Sequence, residues 1–322
     1  MVGWLAERPS LAGVGLLVLT VVFGMEVLRV MVPGVVWLLG DRLGLGALPA
    51  GGLTLLVFLS AFLAGPLRRA LGDRLALVVT AGGLGLLRLV MQLWAGAPLV
   101  DFGLAMAGTA LFIVFLPLFL RGAWQGGSVP IGYMALGLLA GLALDTAIHG
   151  AFSTYDMAWQ SGLAPLLVTL FLVLAQWVLL AGFQPAEGAQ GEAAAHGAAS
   201  GVPWARSLTW VAIGPFLFLQ LVVFQNIARL AALSGWALPW AFGWTLLSQL
   251  IGLAAAVWVL GRRWRTRWPL ALACGLGLVV VLAIPYPQGA AATVVLAMLG
   301  QVLLSLSMVL VLLGIGAGPR RA

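Results

Sequence analysis

Apolar runs of 17 residues or more recur along the whole chain, separated by short segments that carry glycine, proline and arginine. A run of that length, continuous rather than alternating, predicts an α-helix long enough to cross a bilayer. Backbone amides have no partner in hydrocarbon, so only helices and closed barrels span it. A barrel would alternate polar and apolar positions at period two, and these runs do not. The pattern predicts an all-α polytopic membrane protein with ten spans, near 12–38, 51–67, 75–95, 103–120, 131–151, 163–183, 208–231, 238–260, 269–286 and 290–316. Pro130, Pro165, Pro215 and Pro269 fall where a span begins or bends, positions that tolerate proline.

Arginine placement orients the spans. Arg8, Arg68, Arg69, Arg74, Arg121, Arg206, Arg262, Arg263, Arg265, Arg267, Arg320 and Arg321 fall on one side of a ten-span arrangement, and only Arg42 on the other. By the positive-inside rule both termini are expected in the cytoplasm. Asp41, Asp101 and Asp156 then fall outside, with Asp101-Phe102-Gly103 on a short external turn. Tryptophans near span ends, such as Trp37, Trp94, Trp159 and Trp268, read as interfacial anchors. Gly137 and Gly141 have the four-residue spacing of close helix packing.

Composition agrees. The 322 residues are 63% hydrophobic and 8% charged, with a mean hydropathy of +1.12, a balance foreign to soluble domains. The net charge of +7 comes from arginines at span ends, so it marks topology and headgroup contacts rather than nucleic acid. The single cysteine, Cys274, rules out an internal disulfide. The first apolar run is too long for a signal-peptide core, so the first span is read as uncleaved. An uncleaved multi-pass protein with this charge bias fits a bacterial inner membrane. The stretch QPAEGAQGEAAAHGAASGVP lacks a hydrophobic stripe and reads as a flexible cytoplasmic linker, 184–207, with His196 solvated. It divides a six-helix part, 1–183, from a four-helix part, 208–322.

The two parts look related. Span 1 contains GMEVLRV and span 7 contains FQNIARL, each with a polar residue three positions before an arginine. Spans 2 and 3 are joined by GPLRRALGDR, and spans 8 and 9 by GRRWRTRW. Parallel repeats joined by a cytoplasmic loop are a transporter architecture. With these features the chain resembles the major facilitator superfamily, whose best-known motif lies between helices 2 and 3. The chain has Gly65, Leu67, Arg68, Arg69, Gly72, Asp73 and Arg74 there, of which Gly65, Leu67, Gly72 and Arg74 fit that motif. Arg69 stands where the motif has its acid, and Asp73 sits four residues later. The resemblance implies two helical bundles around a central cavity, with the 65–74 turn in a gating role. The family has twelve helices and this chain ten, as a divergent member or as part of a longer protein.

Five charges lie inside otherwise apolar spans: Glu26, Arg29, Arg88, Asp145 and Arg229. Each costs roughly 2.5–3.5 kcal/mol near mid-membrane on the insertion scale. All lie on odd-numbered spans at similar expected depth. Spacings of three or four place Glu26 with Arg29, Arg88 with Gln92, Asp145 with His149, and Asn226 with Arg229 on shared helix faces. Two roles stand side by side. The cluster is a site for a small polar or anionic solute, with Glu26 or Asp145 carrying a coupling proton, or its ion pairs fix helix register. Gln176, Gln220, Gln249 and Gln301 are expected to hydrogen-bond between helices.

No catalytic, metal or cofactor constellation is expected. There is no lysine for a phosphate-binding loop, and two distant histidines and one cysteine do not make a usual zinc site. The chain is therefore expected not to be an enzyme. The partners implied are the lipid bilayer, a small-molecule solute and protons. The function expected is transport through a charged central cavity by alternating access. The alternative is a non-transporting anchor or sensor module of a larger protein.

Overall fold

A computed structural model describes residues 8–34, 56–57, 59–94, 98–125, 129, 131–152 and 163–183, and scattered helical positions between 243 and 306. Every regular element among the described residues is helical. Four stretches are long and apolar enough to cross a membrane: Pro9–Met31, Ser60–Leu93, Leu99–Phe119 and Leu163–Gly182. The linker 184–207, the expected spans 208–231 and 269–286, and the arginines of 262–267 lie outside the described residues, as does Cys274.

The chain divides into two compact units, Met1–Gly141 with Trp159–Gly214, and Leu142–Ala158 with Pro215–Ala322. The first is built from α1 (Pro9–Gly34), α2 (Ala64–Leu77), α3 (Gly83–Leu93), α4 (Pro98–Gln125), the first part of α5 (Ile131–Phe152), and α6 (Leu163–Gly182). Proline opens α1 and α4, where its missing amide would have had no helical partner. The Arg8 carbonyl starts α1 by accepting from the Leu11 and Ala12 amides. Helix α4 begins five residues before the expected span. Asp101 therefore lies in the first helical turn and is buried, not on a short external turn. A carboxylate there is favoured by the partial positive charge of the helix start.

The stretch Ser60–Leu93 holds 34 residues, about 51 Å if straight, against a bilayer core of about 30 Å. It is not straight. Gly72 has φ +76° and ψ 170°, outside the helical region. The two arms fold back, as their contacts with α4 show. The Ser60 hydroxyl donates to the Ala110 carbonyl (3.3 Å), and a Cβ on Gly83 would touch Leu111 at 3.4 Å. Two ends 23 positions apart thus meet α4 at one level, as an antiparallel hairpin with Gly72 at its tip.

Between α2 and α3, within the second arm, lies a π-helical turn, Val78–Gly82. The Gly83 amide there is shared among the carbonyls of Val78, Val79 and Thr80. The Thr80 hydroxyl donates to Ala76 O (2.7 Å) and reaches Leu77 O (3.3 Å), occupying carbonyls the widened turn releases. π turns of this kind recur at functional positions in helices.

Helix α1 is apolar on all sides, which predicts burial on all sides. It packs against α3, α4 and α6, and against α5 through Gly137 and Gly141. A Cβ on Gly141 would lie 2.7 Å from Val21 Cβ and 2.9 Å from the Val18 carbonyl, so these backbones nearly touch. The pairs Gly137 with Val14 and Gly141 with Val18 advance together, so α1 and α5 run parallel here. Gly24 with Phe112 and Val27 with Gly108 run in opposite order, so α4 is antiparallel to α1. Gly13 with Phe183 and Gly15 with Leu179 make α6 antiparallel as well. One end of this unit is aromatic, with Phe119 5.3 Å from Phe115 and 5.5 Å from Phe183 between ring centroids.

Candidate functional site

The polarity of the helices is inverted relative to a soluble bundle. On α6 the buried face carries Pro165, Thr169, Val173, Gln176 and Leu180. Its exposed face carries Leu163, Leu167, Leu170, Phe171, Leu174 and Trp177. On α3, Arg88 and Gln92 are buried with Leu84, Gly85 and Met91, while Leu86, Val90 and Leu93 are exposed. Apolar side chains outward and polar ones inward suit a lipid solvent. Trp94, exposed at the end of α3, sits where an interfacial anchor belongs.

Inside, α1 and α3 bring Glu26 and Arg88 together. Arg88 Nε donates to Glu26 Oε2 at 2.5 Å, and both side chains are almost wholly buried, at 1% and 3% exposure. A buried pair of this kind sets two desolvation costs against one strong attraction, and geometry decides the balance. Arg29, three residues beyond Glu26 on α1, is half-buried and its charge also acts on Glu26. Gln92 lies one turn beyond Arg88 and is buried. Arg29 and Arg88 thus bring two guanidiniums to one buried carboxylate. A guanidinium offers fork-shaped donors for carboxylate or phosphate.

A second polar node lies toward the aromatic end. Gln176 Nε2 on α6 donates to Thr20 Oγ1 on α1 at 3.1 Å, and Thr20 donates to Leu16 O at 2.7 Å. The interhelical role expected of Gln176 is therefore present. Thr20 carried no sequence signal, because a hydroxyl six positions from the nearest charge looks like one more tolerated residue in an apolar run. Gly85 is what admits Gln176: a Cβ there would run into Gln176 Oε1.

The other expected site residues are placed as follows. Asp145 is buried on the part of α5 that belongs to the second unit. His149 is on the same helix, and its side chain lies outside the described residues, as do Asn226 and Arg229 entirely. Gln249 and Gln301 are buried in the second unit with Ser248 and Ser305, and a Cβ on Gly252 would meet the Val302 carbonyl at 2.7 Å. Gly65, Arg68, Arg69, Gly72, Asp73 and Arg74 gather at the hairpin tip. There Arg68 holds Asp73 through two hydrogen bonds, Nε to Oδ1 and Nη2 to Oδ2 (3.1 Å for the second). The acid that arrives late in the motif is thus the counter-ion of Arg68 across the Gly72 break. Among the described residues no group of three or more His, Cys, Asp or Glu side chains gathers as a metal site.

No protein-family model matches the chain, and neither a curated protein nor a solved structure matches it.

Proposed function

We propose that this protein is a multi-pass transporter of the major-facilitator type in a bacterial inner membrane, with both termini cytoplasmic, moving a small polar or anionic solute. The observation that carries this reading is the buried Glu26–Arg88 pair with Arg29 beside it, charged groups held inside an apolar bundle. Charged side chains are costly inside an apolar bundle and mark solute pathways in membrane proteins, and guanidiniums there suit a polar or anionic solute. Transport by rocking of two bundles would alternately expose this cluster.

A thermal-stability screen of the purified protein in detergent tests it, using small anions, sugars, amphiphiles and cationic drugs. A ligand that binds only the folded state raises the melting temperature. An anion that does so in the wild type and not in Arg29→Ala supports the proposal. Full ligand response in Arg29→Ala and in an Arg229→Ala variant overturns it.

One observation favours the second reading, a non-transporting anchor or sensor module: Glu26 and Arg88 are hydrogen-bonded to each other, as a pair that fixes helix register would be. For that module no ligand in the panel shifts the melting temperature, and the native protein has an intact mass above 33.6 kDa.

A further inference from the structure

We propose that the hairpin tip at Gly72 docks the headgroup of an anionic membrane lipid on Arg69 and Arg74. The inference rests on the membrane reading of the chain and is independent of transport. The sequence alone marks every arginine turn alike, as a topology signal and headgroup contact; the structure separates the arginines of this turn by what they do. Arg68 is neutralised by Asp73 and is only about a quarter exposed. Arg69 and Arg74 are exposed, and neither forms an ion pair among the described residues. The tip thus carries three guanidiniums and one carboxylate, a surplus of +2 held by the two outward-facing side chains.

The surroundings fit an amphiphile rather than a soluble anion. The backbone beside the cations is open: a Cβ on Gly65 or on Gly72 would meet nothing within 4 Å. Immediately along the two arms the exposed surface turns apolar, with Phe62 and Leu63 on one and Leu75 and Val79 on the other. A lipid whose phosphate reaches the guanidiniums can lay its acyl chains along that wall. Guanidinium forks match phosphate oxygens, and a basic group near an anionic leaflet contributes binding that salt weakens. The surplus of two cations selects a lipid with net negative charge over a zwitterion, whose own amine would oppose Arg69 and Arg74.

The full chain in detergent, with phosphatidylglycerol, phosphatidylcholine or inorganic phosphate added, gives the test. Phosphatidylglycerol should raise the melting temperature in a salt-sensitive way, and native mass spectrometry of a mixture should show it retained over phosphatidylcholine. In Arg69→Gln/Arg74→Gln the retention should weaken about thirtyfold, while Arg69→Lys/Arg74→Lys keeps most of it. Equal stabilisation by phosphatidylcholine would overturn the proposal, as would an unchanged phosphatidylglycerol response in the glutamine variant. Equal stabilisation by inorganic phosphate would also overturn it, showing a site for a soluble anion. Both arginines are exposed, so the variants should fold; if the glutamine variant does not, the wild-type lipid preference still decides.

Discussion

Arg88 is the residue whose neighbours cost most to change. Replacing it with Met leaves the Glu26 carboxylate buried beside Arg29 alone, and breaking a buried pair in this way costs about 3–5 kcal/mol. Replacing both, as Glu26→Leu/Arg88→Met, removes both desolvation costs and should recover most of that loss in denaturant titration. The double variant then separates structure from function: it should be stable and silent to any anion found in the screen. A double variant as unstable as Arg88→Met would show that the charges organise more than each other. Gly85 is the complementary case. Gly85→Ala pushes a methyl group into Gln176 Oε1 and should cost about 1–3 kcal/mol. Adding Gln176→Ala should relieve part of it, because residues in contact do not add; strict additivity would contradict the packing.

At the scale of the element, the hairpin Ser60–Leu93 depends on two irregularities. The first is Gly72, whose positive φ disfavours any side chain even though space is available. Gly72→Ala should therefore cost about 1–2 kcal/mol through the backbone alone. The second is the π turn at Val78–Gly82, which adds one residue to the helix without changing what lies on either side. Deleting Val79, which is exposed, should restore a regular helix and leave Arg88 facing Glu26. The deletion variant should keep its melting temperature within a few degrees (about the effect of 1 kcal/mol), and Arg88→Met should still be destabilising in that background. If the deletion alone is as damaging as Arg88→Met, the π turn sets the register of the ion pair.

For the molecule as a whole, orientation is the open quantity that one labelling experiment can read. The tip of the hairpin at Arg69 and the end of α3 at Trp94 lie at opposite ends of one arm. Single cysteines at these two positions, in a Cys274→Ser background, should label from opposite sides with a membrane-impermeant thiol reagent. Position 69 should label only when the reagent reaches the cytoplasm, as the positive-inside rule requires. Labelling of both from the same side would overturn the hairpin as a membrane-crossing unit. The inverted polarity of α3 and α6, with leucines outward and Arg88, Gln92, Thr169 and Gln176 inward, is the feature of the first unit that a lipid solvent explains and water does not.

Much of this was legible without coordinates. The α1, α5 and α6 helices lie within a few residues of the expected spans, because an apolar run in a bilayer has one low-energy conformation and its length reads directly from the chain. The close approach of Gly137 and Gly141 was legible for a similar reason, since small residues four apart leave a groove wherever they occur. The charged positions were visible too, because each interrupts an apolar run at a cost. Partners were not visible. That Glu26 faces Arg88 across 62 positions, that Gln176 reaches Thr20 across 156, and that Arg68 rather than Arg69 takes Asp73, are outcomes of packing. So is the buried helical place of Asp101, where the start of α4 competes with a turn signal of equal local strength. Sequence by itself determined the helices and the places where charge enters them, since these follow from the free energy of transferring each residue into lipid. Tertiary structure alone decided which charges neutralise one another and which stay outward, since that depends on which helix faces meet.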